Sequence, residues 1–309
     1  MRLTAVLIAA LFFFASSRAE AFRIVVISDL NGSYGSVSYA PEVHRAIEHI
    51  IRLEPDVVIS TGDMVAGQRR PHLSEADIRA MWRGFHAAVT EPLEKAGIPL
   101  LITPGNHDAS DYGGFEEERR LFRETWITRA PRGVTGDWPF AYTLQVGGTR
   151  FISLDATTVG AVSSEQMRWL EGLGDDGGPT IAFSHLPLHP VAQERETEII
   201  GDPALGEVFE IIGADVHLSG HHHAYYPGSY NEVAFVAQAC LGGGSRRLIG
   251  RSTRAPKGFT VIDVEDGMIT VQGLDVGTFD PIDVETLPEG IGKLRRLDIA
   301  PTPTASTRQ

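Results

Sequence analysis

The chain has 309 residues and a single cysteine, Cys240, which excludes an intrachain disulfide framework and any metal site built from several thiolates. Basic charge is scarce. Lys and Arg number 27 against 40 Asp and Glu, a formal net charge of −13. Such a surface repels polyanions and does not suit broad binding to nucleic acid or to an anionic membrane. Long apolar runs are also lacking: Leu3 to Ala15 falls short of the roughly 20 residues that span a bilayer. No internal repeat is present, and no Gly/Pro-rich linker splits the chain. At 42% hydrophobic and 22% charged residues, the composition excludes wholesale disorder and allows a large core.

What is there begins with a targeting pattern. Arg2 precedes the apolar run, and Ala19-Glu20-Ala21 has the small-x-small form of a signal-peptidase site, so residues 1–21 read as a signal peptide. An uncleaved N-terminal anchor is the alternative. No cysteine follows for lipid attachment, and no twin arginine precedes the run. The expected product is exported, periplasmic or secreted, with one domain over residues 22–300 and a disordered tail at 301–309, PTPTASTRQ. Without disulfides, an exported protein depends on its core or on bound metal for stability.

Five near-continuous apolar runs read as strands buried on both faces: Phe22 to Ser28, Asp56 to Ser60, Pro99 to Thr103, Pro179 to Ser184 and Ala214 to Ser219. Helical stripes fill the gaps. They are Val43, Ile47, Ile50 and Ile51 behind Pro41; Ile78, Met81, Trp82, Phe85, Ala88 and Val89 behind Ser74 and Asp77; Met167, Leu170 and Leu173 behind Ser163 and Gln166; and Leu205, Val208, Phe209 and Ile212. Alternating strands and helices imply βαβ units. Two hairpins are expected, turning at Gly147-Gly148 and at Asp266-Gly267.

The residues just past the strands carry the chemistry. They are Asp29, Asp63 in Thr61-Gly62-Asp63, Asn106 in Gly105-Asn106-His107-Asp108, His185, and His221 and His223 in Gly220-His221-His222-His223. In open α/β sheets ligands gather at the carboxyl ends of strands. Oxygen and imidazole donors suit divalent Mn, Fe or Zn better than a sulfur-preferring ion. Any one of these residues alone reads as a cap or a loop histidine. Five coinciding strand ends read as a site.

The ordered set Asp29-x-Asn31, Gly62-Asp63, Gly105-Asn106-His107-Asp108, His185 and Gly220-His221-x-His223 resembles the calcineurin-like metallophosphoesterases over about residues 23–275. The resemblance implies a four-layer α/β/β/α sandwich around two mixed central sheets, with two divalent metal ions at the strand ends. It implies that Asp63 bridges the metals, that Asn106, His185 and His221 complete one site, and that Asp29 and His223 hold the other with Asn31 as a possible further ligand. It places His107 against the substrate phosphate as proton donor to the leaving group, with Asp108 orienting it. The reaction implied is hydrolysis of phosphate mono- or diesters of small molecules by a metal-activated hydroxide.

Asn31 departs from the family pattern, which has histidine there. An amide oxygen is a weaker donor to borderline metals, so Asn31 either ligates through oxygen or orients a water. The first metal should then bind less tightly or be a harder ion, and a mononuclear site or a lapsed enzyme that only binds metal or phosphate stays open. A nucleotide phosphodiesterase of the cyclic-nucleotide type is the other alternative. Purple acid phosphatases fit less well, because the tyrosine they carry three residues after the bridging Asp is Ala66 here. Several residues are discounted. His222 is read as facing solvent or substrate, His189 as a surface-loop residue, and His217 and Cys240 as packed. The cluster Arg246, Arg247, Arg251, Arg254 and Lys257 is read as a solvated loop, with a phosphate-attracting rim as the alternative. Tyr34, Tyr39, Tyr112, Tyr225 and Tyr226 are read as candidates for the substrate mouth.

Overall fold

The computed structural model describes residues 21–297; the apolar leader and the tail 301–309 lie outside the described residues. The apolar runs form strands where expected: β1 (Phe22–Ile27), β2 (Val57–Ser60) and β3 (Leu100–Ile102). Then come β4 (Thr135–Asp137), β5 (Ala141–Val146), β6 (Thr149–Ser153), β7 (Thr180–Ser184) and β8 (Val216–Ser219). Next are β9 (Tyr226–Tyr230), β10 (Val233–Ala237), β11 (Gly258–Glu265) and β12 (Met268–Asp275), followed by the short β13 (Gly290–Ile291) and β14 (Leu294–Arg296).

These strands build two mixed sheets. One has five strands in the order β12-β11-β1-β2-β3, and the other nine in the order β13-β14-β9-β10-β8-β7-β6-β5-β4. β1, β2 and β3 run parallel, as do β6, β7, β8 and β10. The β5–β6 and β11–β12 hairpins turn at the expected glycines, with Val146 paired to Thr149 and Glu265 to Met268.

The helices are α1 (Pro41–Arg52), α2 (Glu75–Phe85), α3 (Glu91–Lys95), α4 (Asn106–Ala109), α5 (Glu116–Ile127), α6 (Ser164–Glu171) and α7 (Pro203–Ile211). Alternating side chains of β6 and β7 divide the interior. Phe151, Ile181 and Phe183 join the core shared with β1–β3, α1, α2 and α5. Ile152 and Ala182 instead pack under Leu170 of α6 and Leu205 and Phe209 of α7. The result is the four-layer α/β/β/α sandwich.

Ser74 and Asp77 form the full reciprocal cap of α2. At α6 only half of the expected box exists. Ser163 accepts from the Gln166 amide, but the Gln166 side chain bonds the backbone of Asp155 instead. The chain also continues from α2 through a π-helical turn at His86–Thr90 into α3; the stripe through Ala88 and Val89 indicates the continuation, but not its π-helical form. Because β1, β2, β3, β7 and β8 point the same way at the sheet junction, the loops that follow them meet at one edge.

Candidate metal centre

Backbone bonds tie the loops at that edge to one another, both within the five-stranded sheet and across from the nine-stranded one. Asp29 N donates to Gly62 O at 3.1 Å, and Leu30 N and Asn31 N donate to Asp63 O at 3.0 and 3.1 Å. Gly242 N and Gly243 N both donate to Asp29 O at 3.0 Å. Asp29, Asp63, His221 and His223 have φ of 51, 52, 63 and 50°, the left-handed region that costs a non-glycine residue on the order of 1–3 kcal/mol. Glycines make room beside them. A Cβ on Gly105 would lie 2.1 Å from Asp63 N, and one on Gly220 would lie 2.3 Å from Ser28 Oγ.

Two groups of donor atoms converge on Asp63. In the first, Asp29 Oδ1 lies 3.0 Å from His223 Nε2, and ligand atoms of Asp29, Asp63 and His223 all fall within 4.8 Å of one another. In the second, His185 Nε2 lies 2.9 Å from Asn106 Oδ1, 3.3 Å from Asp63 Oδ1 and 3.3 Å from His221 Nδ1. Asp63 belongs to both groups.

Surrounding bonds decide which atom of each side chain faces inward. His185 Nδ1 donates to Thr61 O at 2.9 Å, and His223 Nδ1 donates to Gly244 O at 2.9 Å. A carbonyl can only accept, so in both rings Nε2 is the inward atom. His221 is reversed: its Nε2 donates to Glu198 Oε2 at 2.9 Å, which turns Nδ1 inward. Asn106 Nδ2 donates to Gln68 Oε1 at 2.6 Å, fixing the amide with its oxygen toward His185. Asp29 Oδ2 is saturated by Ser28 Oγ at 2.6 Å and His221 N at 3.1 Å, and Thr61 Oγ1 supports Ser28 Oγ at 2.7 Å. Asp29 Oδ1 is fully buried with no well-formed hydrogen bond. A buried carboxylate oxygen left open between histidine nitrogens and a second carboxylate fits a cation.

The electrostatics agree. Burial works against the charged forms of Asp29 and Asp63, yet the carboxyls stay below their ordinary range, Asp29 because of His223 and Asp63 because of His185 and His107. The partner rings respond in kind. Burial opposes their protonation, but Asp63 lifts His185 to about 9 and Asp29 lifts His223 well above the usual value. Protonated imidazoles thus supply here the positive charge that a cation would otherwise bring. Glu198 is held at about 2 by its bond to His221, with Arg195 adding to the effect.

His107 N donates to Asp63 Oδ1 at 2.9 Å, and His107 Nε2 lies 3.8 Å from Asp63 Oδ2. The partly exposed ring is tilted against Tyr34 with centroids 5.3 Å apart. Asp108 does not reach this ring. Its carboxylate accepts from Val65 N at 2.8 Å and Gly105 N at 3.0 Å, so it braces the loops, and burial together with Asp63 raises it to about 7. The expectation that Asp108 orients His107 is corrected accordingly. Asn31 is buried beside the site, and its Nδ2 donates to Val65 O at 3.3 Å, which leaves its oxygen as the atom able to bind.

Other expectations change too. His222 is fully buried, accepting from Val191 N and Ala192 N at Nδ1 and donating from Nε2 to Glu198 O. Strand alternation does not apply to it, because the positive φ of its two neighbours coils the segment. Tyr225 and Tyr226 are core residues and not part of a mouth. Arg246 is no solvated residue: its Nη1 donates to His221 O at 2.6 Å. Glu198, Gln68, Ser28 and Thr61 escaped the sequence reading. Only Ser28 and Thr61 carried a signal, as hydroxyl residues adjoining the Asp29 and Gly62-Asp63 motifs.

A family model for calcineurin-like phosphoesterases matches residues 22–225; the chain belongs to that family. It is 25% identical to purple acid phosphatase 15 of Arabidopsis thaliana over 66% of this chain and 40% of the relative. It is 24% identical to the serine/threonine-protein phosphatase CPPED1 of Rattus norvegicus over 64% of each. The chain therefore spans less than two thirds of the length of these relatives. The fold resembles the purple acid phosphatase PPD1 of yellow lupin (TM-score 0.65, 19% identity, 85% of this chain and 53% of that one). It also resembles a dimetal phosphatase from Danio rerio (TM-score 0.55, 15% identity, 82% of this chain and 96% of that one). Purple acid phosphatases, which the sequence reading set lower, are thus among the similar proteins, although Ala66 still stands where their tyrosine would be. Among the described residues no helix is long and apolar enough to cross a membrane.

Proposed function

We propose that this chain is an exported two-metal phosphoesterase acting on small-molecule phosphate mono- or diesters. The observation that carries the reading is the Asp63 carboxylate shared between two sets of inward-facing donors. Asp29 Oδ1, His223 Nε2 and Asp63 would hold one divalent ion. Asp63 Oδ1, Asn106 Oδ1, His185 Nε2 and His221 Nδ1 would hold the other. Such a pair supplies charge neutralisation on the phosphoryl oxygens and an activated water.

The chain's own residues supply the rest. The fixed orientations of His185, His221 and His223 aim Nε2, Nδ1 and Nε2 inward before any ligand arrives, so binding requires His185 and His223 to give up a proton but little reorganisation of the rings. His107, anchored through its backbone to Asp63 and steadied by Tyr34, is the partly exposed acid at the rim and would protonate the departing alkoxide. Mn, Fe or Zn suits the mixed oxygen and imidazole set. Export rests on the basic, apolar and small-x-small order of residues 1–21.

A reading without turnover rests on Asn31, whose amide is engaged with Val65 O and brings no imidazole to the first ion. The test is hydrolysis of para-nitrophenyl phosphate and its bis-ester by metal-stripped protein, with Mn, Zn, Fe, Mg or Ca added back. Turnover that depends on the added metal is expected, and the faster ester indicates the substrate class. Metal uptake without turnover of either ester would favour the binding role.

A further inference from the structure

The loop after β10 closes over the first group of donors. Leu241 N donates to Ser28 O, Gly242 N and Gly243 N donate to Asp29 O, and Arg246 N donates to His223 O. Three cations on this loop sit against that frame. Arg246 Nη1 bonds His221 O at 2.6 Å, Lys257 Nζ bonds Gly242 O at 3.2 Å, and Arg254 Nη1 bonds Ser245 O. The other two lie further out, with Arg247 Nε on Ser252 O and Arg251 Nη2 on Thr286 O.

The partners of these cations are carbonyls, which accept hydrogen bonds without cancelling charge. Among the described residues none of the five has a carboxylate within ion-pair distance. Elsewhere on this acidic protein arginines do pair: Arg23 with Asp263, Arg119 with Asp155, Arg120 with Glu117 and Arg123 with Asp137. Arg246 is half-buried, with Arg195 as a neighbouring cation and Asp29, Glu198 and Asp63 as neighbouring carboxylates; Glu198 is already bonded to both Arg195 and His221, and Asp29 and Asp63 belong to the converging donor set. Arg254 and Lys257 thus hold positive charge with no carboxylate partner, beside donors whose own carboxylates a metal would take up, and such a cluster in a chain of net charge −13 suits an anion.

We propose that this loop forms a subsite for a second anionic group, phosphate or carboxylate, carried by the leaving group of the substrate, with Arg246, Arg254 and Lys257 as the cations that receive it. The inference rests on the phosphoesterase reading and narrows it to esters charged at both ends. The reacting phosphoryl group belongs to the donors around Asp63. The distal anion lies across His221 and His223, where each cation keeps N–H groups beyond the one bonded to a carbonyl.

The test compares three competitors of para-nitrophenyl phosphate hydrolysis on metal-loaded protein: ethyl phosphate, ethylene glycol bisphosphate and phosphoglycolate. At low salt the two doubly anionic probes should inhibit about tenfold more tightly than ethyl phosphate, and the gap should close as ionic strength rises. A gain for the bisphosphate alone assigns the second group as phosphate, whereas a gain for both assigns a general anion. In the Arg254→Ala/Lys257→Ala variant, which leaves only Arg246, the ratio should fall most of the way toward one. Lys257→Gln alone, which keeps most of the stem, should lower it part of the way if the double variant fails to fold. Equal inhibition by all three probes, or a ratio that survives both variants, overturns the proposal. If para-nitrophenyl phosphate is not hydrolysed, calorimetric titration of the same probes reads the same ratio, so failure of the subsite and failure of the phosphoesterase reading are separate results.

Discussion

His221 shows how much of this site is settled by residues outside the converging donor set. Its ring offers two nitrogens, and Glu198 takes one, leaving Nδ1 to face His185 Nε2, which in turn lies 3.3 Å from Asp63 Oδ1. Arg195 holds Glu198 from the other side, and His222 binds its carbonyl. A carboxylate behind a ligating histidine fixes the tautomer and raises the basicity of the ring, and its loss typically costs 10–100-fold in metal affinity. Glu198→Ala should therefore weaken one of two metal equivalents about tenfold or more in a calorimetric titration, leaving the other near its wild-type affinity. Glu198→Gln keeps an acceptor for Nε2–H and should recover part of the loss. Equal weakening of both sites would mean Glu198 holds the loop rather than the ring.

At the scale of elements, the five strands that end in the candidate donors were legible because β-branched runs such as Ile24–Ile27 and Val57–Ile59 have few other places to go. The convergence of these side chains was legible because strand ends at one sheet edge bring them together. What strand alternation could not reveal was the turn after β8. There His221 and His223 both adopt positive φ, so His222 swings into the core instead of toward solvent. Nor could sequence order show that residues of the loop after β7 reach the ligand after β8: Glu198 and His221 are 23 positions apart, with no motif joining them. The tyrosines misled for a related reason. Tyr225 and Tyr226 follow the last motif closely, but β9 begins at Tyr226 and carries both into the interior. The tight glycines explain why the turns hold. Beyond the 2.1 Å approach to Asp63 N, a Cβ on Gly105 would sit 2.3 Å from Asp63 Oδ1, so any side chain at this position displaces the shared carboxylate itself.

At the scale of the whole molecule, the stability of the sandwich depends on pH through buried histidines outside the converging donor set. Burial holds His217 at about 3 and His86 at about 4, below the 6.5 expected of the unfolded chain. His217 Nε2 lies 2.8 Å from Ser184 Oγ, and the His86 ring nitrogens lie 3.0 Å from Thr90 and Thr125 hydroxyls. Groups with depressed values favour the neutral folded form. Their contribution is complete above pH 6.5 and is lost as pH falls toward 4 and 3, at about 1.4 kcal/mol per pH unit for each ring that must charge. His185 and His223 act in the opposite sense in metal-free protein, losing their contribution as pH rises above 6.5. The clean readout is therefore a difference. Between pH 6 and 4, urea unfolding of His217→Asn should decline less steeply than wild type by about 1.4 kcal/mol per pH unit; parallel slopes would show that His217 does not stay neutral in the fold.

The central claim is that one carboxylate, Asp63, joins two metal sites at the meeting edge of the two sheets. The measurement that tests it most directly is a metal count by titration of stripped wild-type protein and of Asp63→Asn, followed by para-nitrophenyl phosphate turnover at each equivalence point. The account predicts two equivalents for the wild type, with turnover appearing as the second binds, and at most one equivalent with no turnover for Asp63→Asn. Two full equivalents and undiminished turnover in Asp63→Asn would contradict it.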